Sequence, residues 1–477
     1  MTVMSAREVG VRVATWLALL CWGAGCLSDY MLTHGSAPGC GPGAAAAGEA
    51  LWLNRYGDAS KQHGKALVVD STGSTIVTGD FLGDLALGGS TISKGERDIF
   101  LAKLDCAGSV VWRKRFGDNA DQAAFNYLAI DDQDNVYFVG RLVGTIDFGK
   151  GALTSAGSVD VFVAKFDPAG ELLWRTRFGG PGTEMPGGRV AVTADGGAVV
   201  FGTFTQDFSF GGHPLVVSEG ADLFVAKLTA SGDVEWAESF PGSGDQDARA
   251  VAVAANDDIL LHGSFDGDVT FDQKWTALGD SATTNDIFLA RLDASGAPLW
   301  SKHFGTDGDE QGSRVTIDAD GSVLIGGTFS DTLDLGGGPL GAAGGGWIAR
   351  LDADGNHLAS RSFGVSSIGA LALDAEGNIL VGGDFYGTVS FGDQKVSSNG
   401  GADLYVLKLP PALEPTIWSQ TGGGTDDDST TSVAADPAGN VAVTGWFRGD
   451  VVLGGAPITS AGEADLFVGK LSDAPAP

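Results

Sequence analysis

From Leu51 onward, apolar residues come in short runs, alternating or continuous, and each run stops at Gly, Asp, Asn or Ser. Between Tyr127 and Gly179 four such runs follow one another: Tyr127–Asp131, Asn135–Leu142, Asp160–Asp167 and Leu172–Gly179. All are rich in β-branched and aromatic residues, as strands are. The intervening DQDN, ADGG, ADGS, AEGN and PAGN segments supply turn residues, with Gly taking positive φ without a Cβ clash. No part of this region sustains a 3.6-residue apolar period, so the pattern predicts strands and hardly any helix. In DIFLAKL, Phe100, Ala102 and Leu104 face one way and Ile99 and Leu101 the other. Strands apolar on both faces belong between two packed layers.

The runs repeat. LWLNRYG at Leu51 returns as VWRKRFG, LWRTRFG, EWAESFP and LWSKHFG, then weakened as LASRSFG and IWSQTGG. The tryptophans stand at positions 52, 112, 174, 236, 300 and 418, with Ala359 in the sixth place. A period of about 61 residues held over the whole region indicates a repeat array. Four strands in each of seven units predict an all-β, seven-bladed β-propeller of four-stranded antiparallel blades, an arrangement that protects strand edges. The array opens on a tryptophan strand, Leu51–Tyr56, and ends on Asp465–Leu471, which lacks the tryptophan strand that follows it elsewhere. The first strand is therefore expected to pair with the last and close the ring.

The unit resembles the bacterial seven-bladed β-propeller repeat family of secreted and surface proteins. The resemblance covers residues 51–471 and rests on Gly140 with Leu142, Gly202 with Phe204, Asp160 with Lys165, and Gly170 with Trp174. It implies the fold and a surface setting, and no shared activity. The segment RLDASGAPLW, Arg291–Trp300, is also similar to the tryptophan-docking repeat of PQQ-binding propellers. That family's enzymes carry calcium ligands and usually a vicinal cysteine pair, and no two cysteines are adjacent here.

Upstream, Arg7 and Arg12 precede an apolar run from Val13 to Gly25 that is too short to span a bilayer. It reads as a secretory signal. The Gly23-Ala24-Gly25-Cys26 sequence resembles a bacterial lipobox, with Gly23 in the place of the usual aliphatic residue. Cys26 is thus the candidate for lipidation, the alternative being an ordinary cleaved signal. The expected organisation is a signal at 1–25, a lipid-attached Gly/Ala/Pro tether at 26–50, the propeller at 51–471 and a disordered tail at 472–477. An exported lipoprotein of the outer membrane or cell surface follows, with a periplasmic or secreted protein as the alternative.

Composition adds limits. Glycine accounts for 75 of 477 residues, which the many turns explain. Hydrophobic residues at 43 % exclude an acidic disordered chain. A net charge of −31 argues against nucleic acid as a partner. Asp98, Asp160, Asp222, Asp286, Asp403 and Asp465 recur at strand starts, and Lys103, Lys165, Lys227, Arg291, Arg350, Lys408 and Lys470 at the matching ends. These read as scaffold, Asp capping turns and Lys stems reaching solvent. The six histidines show no metal-ligand spacing and read as loop or surface residues.

The loops entering each innermost strand share one face and carry Asp121, Glu184, Asp245, Asp247, Asp309, Glu310 and Asp426–Asp428. Asp121, Asp245, Asp309 and Asp426 are candidate Ca²⁺ ligands, against the reading of a solvated acidic surface. Departures from the repeat are Trp275, Trp347, Trp446 and the missing tryptophan at Ala359, and the three tryptophans are candidates for a partner or glycan surface. The expected function is a non-catalytic, monomeric, lipid-anchored binding scaffold without a cofactor, facing a protein or polysaccharide. The alternative is a lyase- or hydrolase-type propeller enzyme, or a calcium-dependent binder, with its site at the acidic channel mouth.

Overall fold

The computed structural model describes residues 45–122, 127–271, 276–278, 284–341, 344–364, 366–392 and 395–473. Cys26 and Trp275 lie outside these. Seven four-stranded antiparallel sheets follow one another along the chain. Blade 1 runs from inner strand Gln62–Val69 to outer strand Val110–Phe116, and blade 2 from Tyr127–Ile130 to Leu172–Phe178. Blades 3, 4, 5 and 6 have inner strands Glu184–Val192, Gln246–Val253, Glu310–Ile317 and Ala370–Leu373. Their outer strands are Val234–Phe240, Pro298–Phe304, His357–Ser362 and Trp418–Gly422. Blade 7 takes Ser429–Ala435, Val441–Phe447 and Asp465–Leu471 from the C-terminal end, and Ala50–Tyr56 is its outer strand. Leu53 pairs with Gly469 and Tyr56 with Leu466, so the two ends of the array share one sheet. Inner strands of successive blades pack side by side around the axis. No helix occurs among the described residues.

The second and third strands of every blade are buried almost throughout, because each sheet is covered by both neighbours. Small hairpins after the second strand add a further seam. Phe148 of blade 2 lies 4.8 Å from Phe116 of blade 1, Phe210 stacks at 3.8 Å on Phe178, and Phe271 sits 5.1 Å from Phe240. The terminal Phe of each of these outer strands is thus covered by the next blade's hairpin, and aromatic pairs add to the area they bury.

The recurring tryptophan and lysine act as clasps between blades. Trp52, Trp112, Trp174, Trp236 and Trp300 each donate Nε1–H to a turn carbonyl of the following blade, on Cys106, Pro168, Ala230, Ala294 and Ala353. The turn must come very close: an added Cβ on Gly232, at φ +88°, would lie 2.6 Å from the Trp174 ring. Where Ala359 replaces the tryptophan, Arg361 takes over, donating to Leu413 O at 3.0 Å and Thr416 Oγ1 at 3.1 Å. The lysines do not reach solvent as expected. Lys103, Lys165, Lys408 and Lys470 are buried against Asp70, Asp131, Asp374 and Asp436 at 2.7–3.0 Å. Each of these aspartates belongs to the turn between first and second strands of the same blade. Lys470 also donates to Gly73 O of blade 1 at 2.7 Å, which ties the closing blade to the first.

The ordered contacts extend past both sequence boundaries. Gly48 N–H donates to Ser472 O at 2.7 Å, and Ser472 Oγ to Ala45 O at 2.9 Å. Asp473 accepts Trp418 Nε1–H at 3.1 Å, doing for the last clasp what a turn carbonyl does elsewhere.

A second buried layer lies between the residue that opens a third strand, an aspartate in six blades, and the residue at the entry to the next inner strand. Gln62, Gln122 and Gln246 occupy that place in three blades, but Glu184, Glu310 and Asp428 occupy it in three others, all buried. Glu184 is pushed up to about 7 by burial, and the charge of Asp160 adds to this against the Gly180 N–H that favours ionisation. Asp428 rises to about 7 by burial, with Asp403 and Asp426 contributing. These expected surface carboxylates are therefore interior groups at blade junctions.

Two outcomes follow. Trp174→Ala is expected to cost about 3 kcal/mol and Trp174→Phe, which keeps a ring but loses the donor, about 1 kcal/mol in urea unfolding. The folded state holds protons on Glu184 and Asp428 that the unfolded chain has already released by mid-acid pH. Their stabilisation is complete below the unfolded pKa and is lost as pH rises through about 7. Glu184→Gln with Asp428→Asn should raise the melting midpoint at alkaline pH, a gain in stability of ~1–3 kcal/mol per site, and flatten the pH dependence between mid-acid and alkaline conditions.

Candidate functional site

The face on which loops enter the inner strands differs in kind from the clasped face. The repeat ends each second strand with Gly, a variable residue and an apolar one, and the variable residue borders the channel mouth. Around the ring it is Asp80, Arg141, Thr203, Ser264, Thr328, Asp384 and Trp446. A structural position would hold one residue type, as Lys and Trp do on the other face. This one holds a carboxylate in two blades, a hydroxyl in three, a guanidinium in one and an indole in one.

The most developed part lies where blade 7 meets blade 1. Asp80 is fully buried, and His63 Nδ1 stands 3.1 Å from its Oδ1. Lys65 Nζ reaches Asp80 Oδ2 at 3.3 Å, and Arg97 Nη1 lies 4.0 Å from Oδ1. Burial raises the Asp80 carboxyl, but His63, Lys65 and Arg97 outweigh it and hold the group below its usual range. The carboxylate is thus charged and fixes the ring of His63, which is 16 % exposed. His63 meets Trp446 edge-on with centroids 5.6 Å apart, and Arg448 lies 5.7 Å over the same indole. On blade 6, Asp384 accepts from Ser367 at 2.7 Å and from Ser429 of blade 7 at 3.0 Å. Tyr386 beside it is exposed, its hydroxyl directed at Asp427. The mouth therefore presents an oriented imidazole, an indole, a phenol and several cations.

Of the tryptophans singled out by sequence, Trp446 stands at this mouth. Trp347 does not: it is 0 % exposed, between blades 4 and 5, filling the place where the other blades carry Phe or, in blade 6, Tyr405, and the expectation of a surface residue is corrected. Sequence showed the substitution but not that the position is interior in every blade. The histidines are corrected in the same way. His63 is engaged as described, and His262 is fully buried, with burial pushing its pKa down to about 4.

The four candidate cation ligands are not brought together. Asp121 makes a two-pronged pair with Arg97, through Nε at 3.1 Å and Nη2 at 2.7 Å. Asp245 accepts from Ala221 N–H at 3.0 Å and Asp309 from Asn285 Nδ2 at 2.8 Å, while Asp426 lies beside Gly449 on blade 7. The first three each tie one blade to the loop of the blade before it. Among the described residues no group of three or more His, Cys, Asp or Glu is placed to hold a metal ion.

No family model matches the chain. It is 24 % identical over 406 residues to the regulatory protein FlaEY of Caulobacter vibrioides, covering 75 % of this chain and 40 % of that protein. It is 24 % identical over 202 residues to the uncharacterized WD repeat-containing protein L264 of Acanthamoeba polyphaga mimivirus, covering 35 % of this chain and 14 % of that one. The chain thus spans well under half the length of these curated relatives. Among solved structures, the Dos1 propeller is similar at TM-score 0.44 and 11 % identity, over 90 % of this chain and 97 % of that one. A PL25 ulvan lyase is similar at TM-score 0.45 and 13 % identity, over 91 % and 94 %. At these identities neither likeness bears on ligand or activity.

Dispersed carboxylates with local partners give a definite outcome for calcium. Thermal melts in millimolar calcium and in chelator should coincide. A calcium-dependent rise that Asp309→Asn abolishes would overturn this assignment.

Proposed function

We propose that this propeller is an exported binding module that recognises a protein or polysaccharide at the mouth of its central channel. The observation that supports it is the asymmetry of the two faces: one repeats the same clasps, and the other varies its residue at equivalent positions. A single binding site needs unequal contributions from a symmetric frame, and concave mouths of such frames are where ligands settle. Trp446, Tyr386 and Arg448 supply exposed or half-buried contact surface of the type that dominates recognition sites. The export reading is supported by Cys106, which is disulfide-bonded, since such bonds persist in oxidising compartments. The other cysteines, Cys21, Cys26 and Cys40, lie outside the described residues, and attachment through a lipid on Cys26 is part of the proposal.

A second reading is favoured by one observation. His63 is held through Nδ1 by a buried carboxylate, which sets its tautomer and leaves Nε2 to act on a ligand. That is the arrangement of a general base, and it would serve the lyase- or hydrolase-type alternative.

Both readings meet one experiment. The purified chain is titrated against a panel of envelope and matrix polysaccharides, and incubations are assayed for new chain ends. The binding reading expects saturable binding that Trp446→Ala with Arg448→Ala weakens at least tenfold, with no new ends formed. New chain ends that disappear in His63→Ala would establish the enzyme instead. Wild-type affinity in the double variant would sink the assignment of the mouth.

A further inference from the structure

Below the mouth, the sign of the charge reverses. Inner strands carry a β-bulge, between Gly64 and Ala66 in blade 1, Ala248 and Ala250 in blade 4, and Gly312 and Arg314 in blade 5. A bulge re-aims the side chains next to it. Aligning the seven inner strands on the turn that follows them, the positions equivalent to Ala66 are Tyr127, Arg189, Ala250, Arg314, Ala370 and Ser432, and Arg249 immediately precedes Ala250. Blades 2, 3 and 5 thus contribute Tyr127, Arg189 and Arg314 at one level of the axis, and blade 4 adds Arg249 from the bulge itself, one residue earlier.

These groups sense one another across the channel. The phenol of Tyr127 is raised by burial and lies in the fields of Arg314, Arg249 and Arg189. Arg189 is pushed down to about 9, first by burial and then by the charge of Arg314. Asp247 is the carboxylate that acts on this group, and it is paired with Arg249 on its own strand. Arg314 donates to Ser313 O at 2.8 Å and to Gly369 O of blade 6, which leaves its buried Nε without a partner. Arg249 Nε is likewise buried and unpartnered. Arg189 makes no ion pair or hydrogen bond among the described residues. Arg189 and Arg314 are half-buried and have no counter-ion among the described residues, so an anion that joins them relieves their mutual repulsion. A scaffold whose total charge is −31 does not gather cations on its axis by composition alone.

We propose that Arg189, Arg249 and Arg314, together with Tyr127, form an oxyanion site on the propeller axis that takes the carboxylate, sulfate or phosphate group of a ligand entering the channel. The planar fork of a guanidinium matches two oxygens of such a group, and three forks from three blades surround it. Tyr127 supplies one further O–H donor. Low-dielectric walls strengthen each interaction, and they focus the field of this local positive charge outward through the mouth. The site is independent of the rim, since none of its residues is Trp446, Arg448 or His63.

The test uses the full chain, with calorimetric titration and thermal melts in sodium sulfate, sodium phosphate and a galacturonate oligomer. Sodium chloride at matched ionic strength is the reference. Wild type is expected to bind saturably and to melt higher in at least one oxyanion but not in chloride. Arg189→Gln should lose at least tenfold in affinity while melting no lower than wild type without anion, because an unpaired charge has been removed. A scaffolding role for Arg189 predicts the opposite, a lower melt and no change in anion response. Lys114→Gln, on an outer strand, should bind as wild type does. Should Arg314→Gln fail to fold, Arg189→Gln and Tyr127→Phe carry the test. A response to the inorganic ions marks a small-anion site, and one confined to the oligomer marks the acid group of a saccharide. Absence of any saturable response in wild type, or wild-type affinity in Arg189→Gln, overturns the proposal.

Discussion

Everything in this molecule depends on a contact no blade can make alone: the clasp of tryptophan and lysine onto the next blade. A four-stranded sheet with two apolar faces is unstable in isolation, because both faces must be covered. The clasp fixes which neighbour covers them and at what depth. Trp174 sets the depth by lying against Gly232, and Lys470 joins Asp436 of its own blade to Gly73 of the next. The same constraint makes closure obligatory. Without the Ala50–Tyr56 strand, Trp52 would be missing from its turn and the last sheet would present an open edge. Covalent distance is irrelevant to this: Arg55 and Asp465 form an ion pair at 2.6 Å although 410 residues separate them.

What could be read from the chain follows from how each signal is encoded. Repetition is a property of sequence, so the seven units, their four strands and the phase of the closing strand were legible from tryptophan spacing and turn residues. Burial of a charged residue is a property of the strands and turns folded against it. Lys165 looks like a solvent-reaching stem because its partner, Asp131, lies in a turn of another strand. Glu184 looks like a loop carboxylate because nothing local marks it as the counterpart of the buried Gln62 and Gln122. Trp347 was legible as a departure and illegible as interior, although the phenylalanines at the same strand position held the answer. Aligning the units position by position, instead of searching for motifs along the chain, exposes both the varied mouth and the arginines below it.

Net charge is the plainest case of an average that hides its opposite. A total of −31 describes the outer surface, where Asp and Glu decorate turns and loops. It excludes a broad basic face for nucleic acid and is silent about a few side chains on the axis. His63, Lys65, Arg97, Arg141, Arg189, Arg249 and Arg314 come from five blades, spread from residue 63 to residue 314. Only a ring brings them together.

The two faces therefore divide the work of one scaffold. On the clasped face, a residue is constrained by the blade that follows, so each unit must resemble the last. At the channel, the residues that face the axis meet no such partner, and bulges in five of the inner strands re-aim the side chains next to them. Selection on stability acts on the first face unit by unit, whereas the axis is free to assemble a single asymmetric site from single substitutions. The carboxylates between blades show the limit of that freedom. Glu184 and Asp428 sit where Gln serves elsewhere, and each is tolerated by keeping a proton that the unfolded chain gives up. Arg189 has no such escape, since a guanidinium keeps its charge in water's absence far more firmly than a carboxyl does. A buried carboxyl can become neutral, whereas a half-buried guanidinium stays charged and favours an anion beside it.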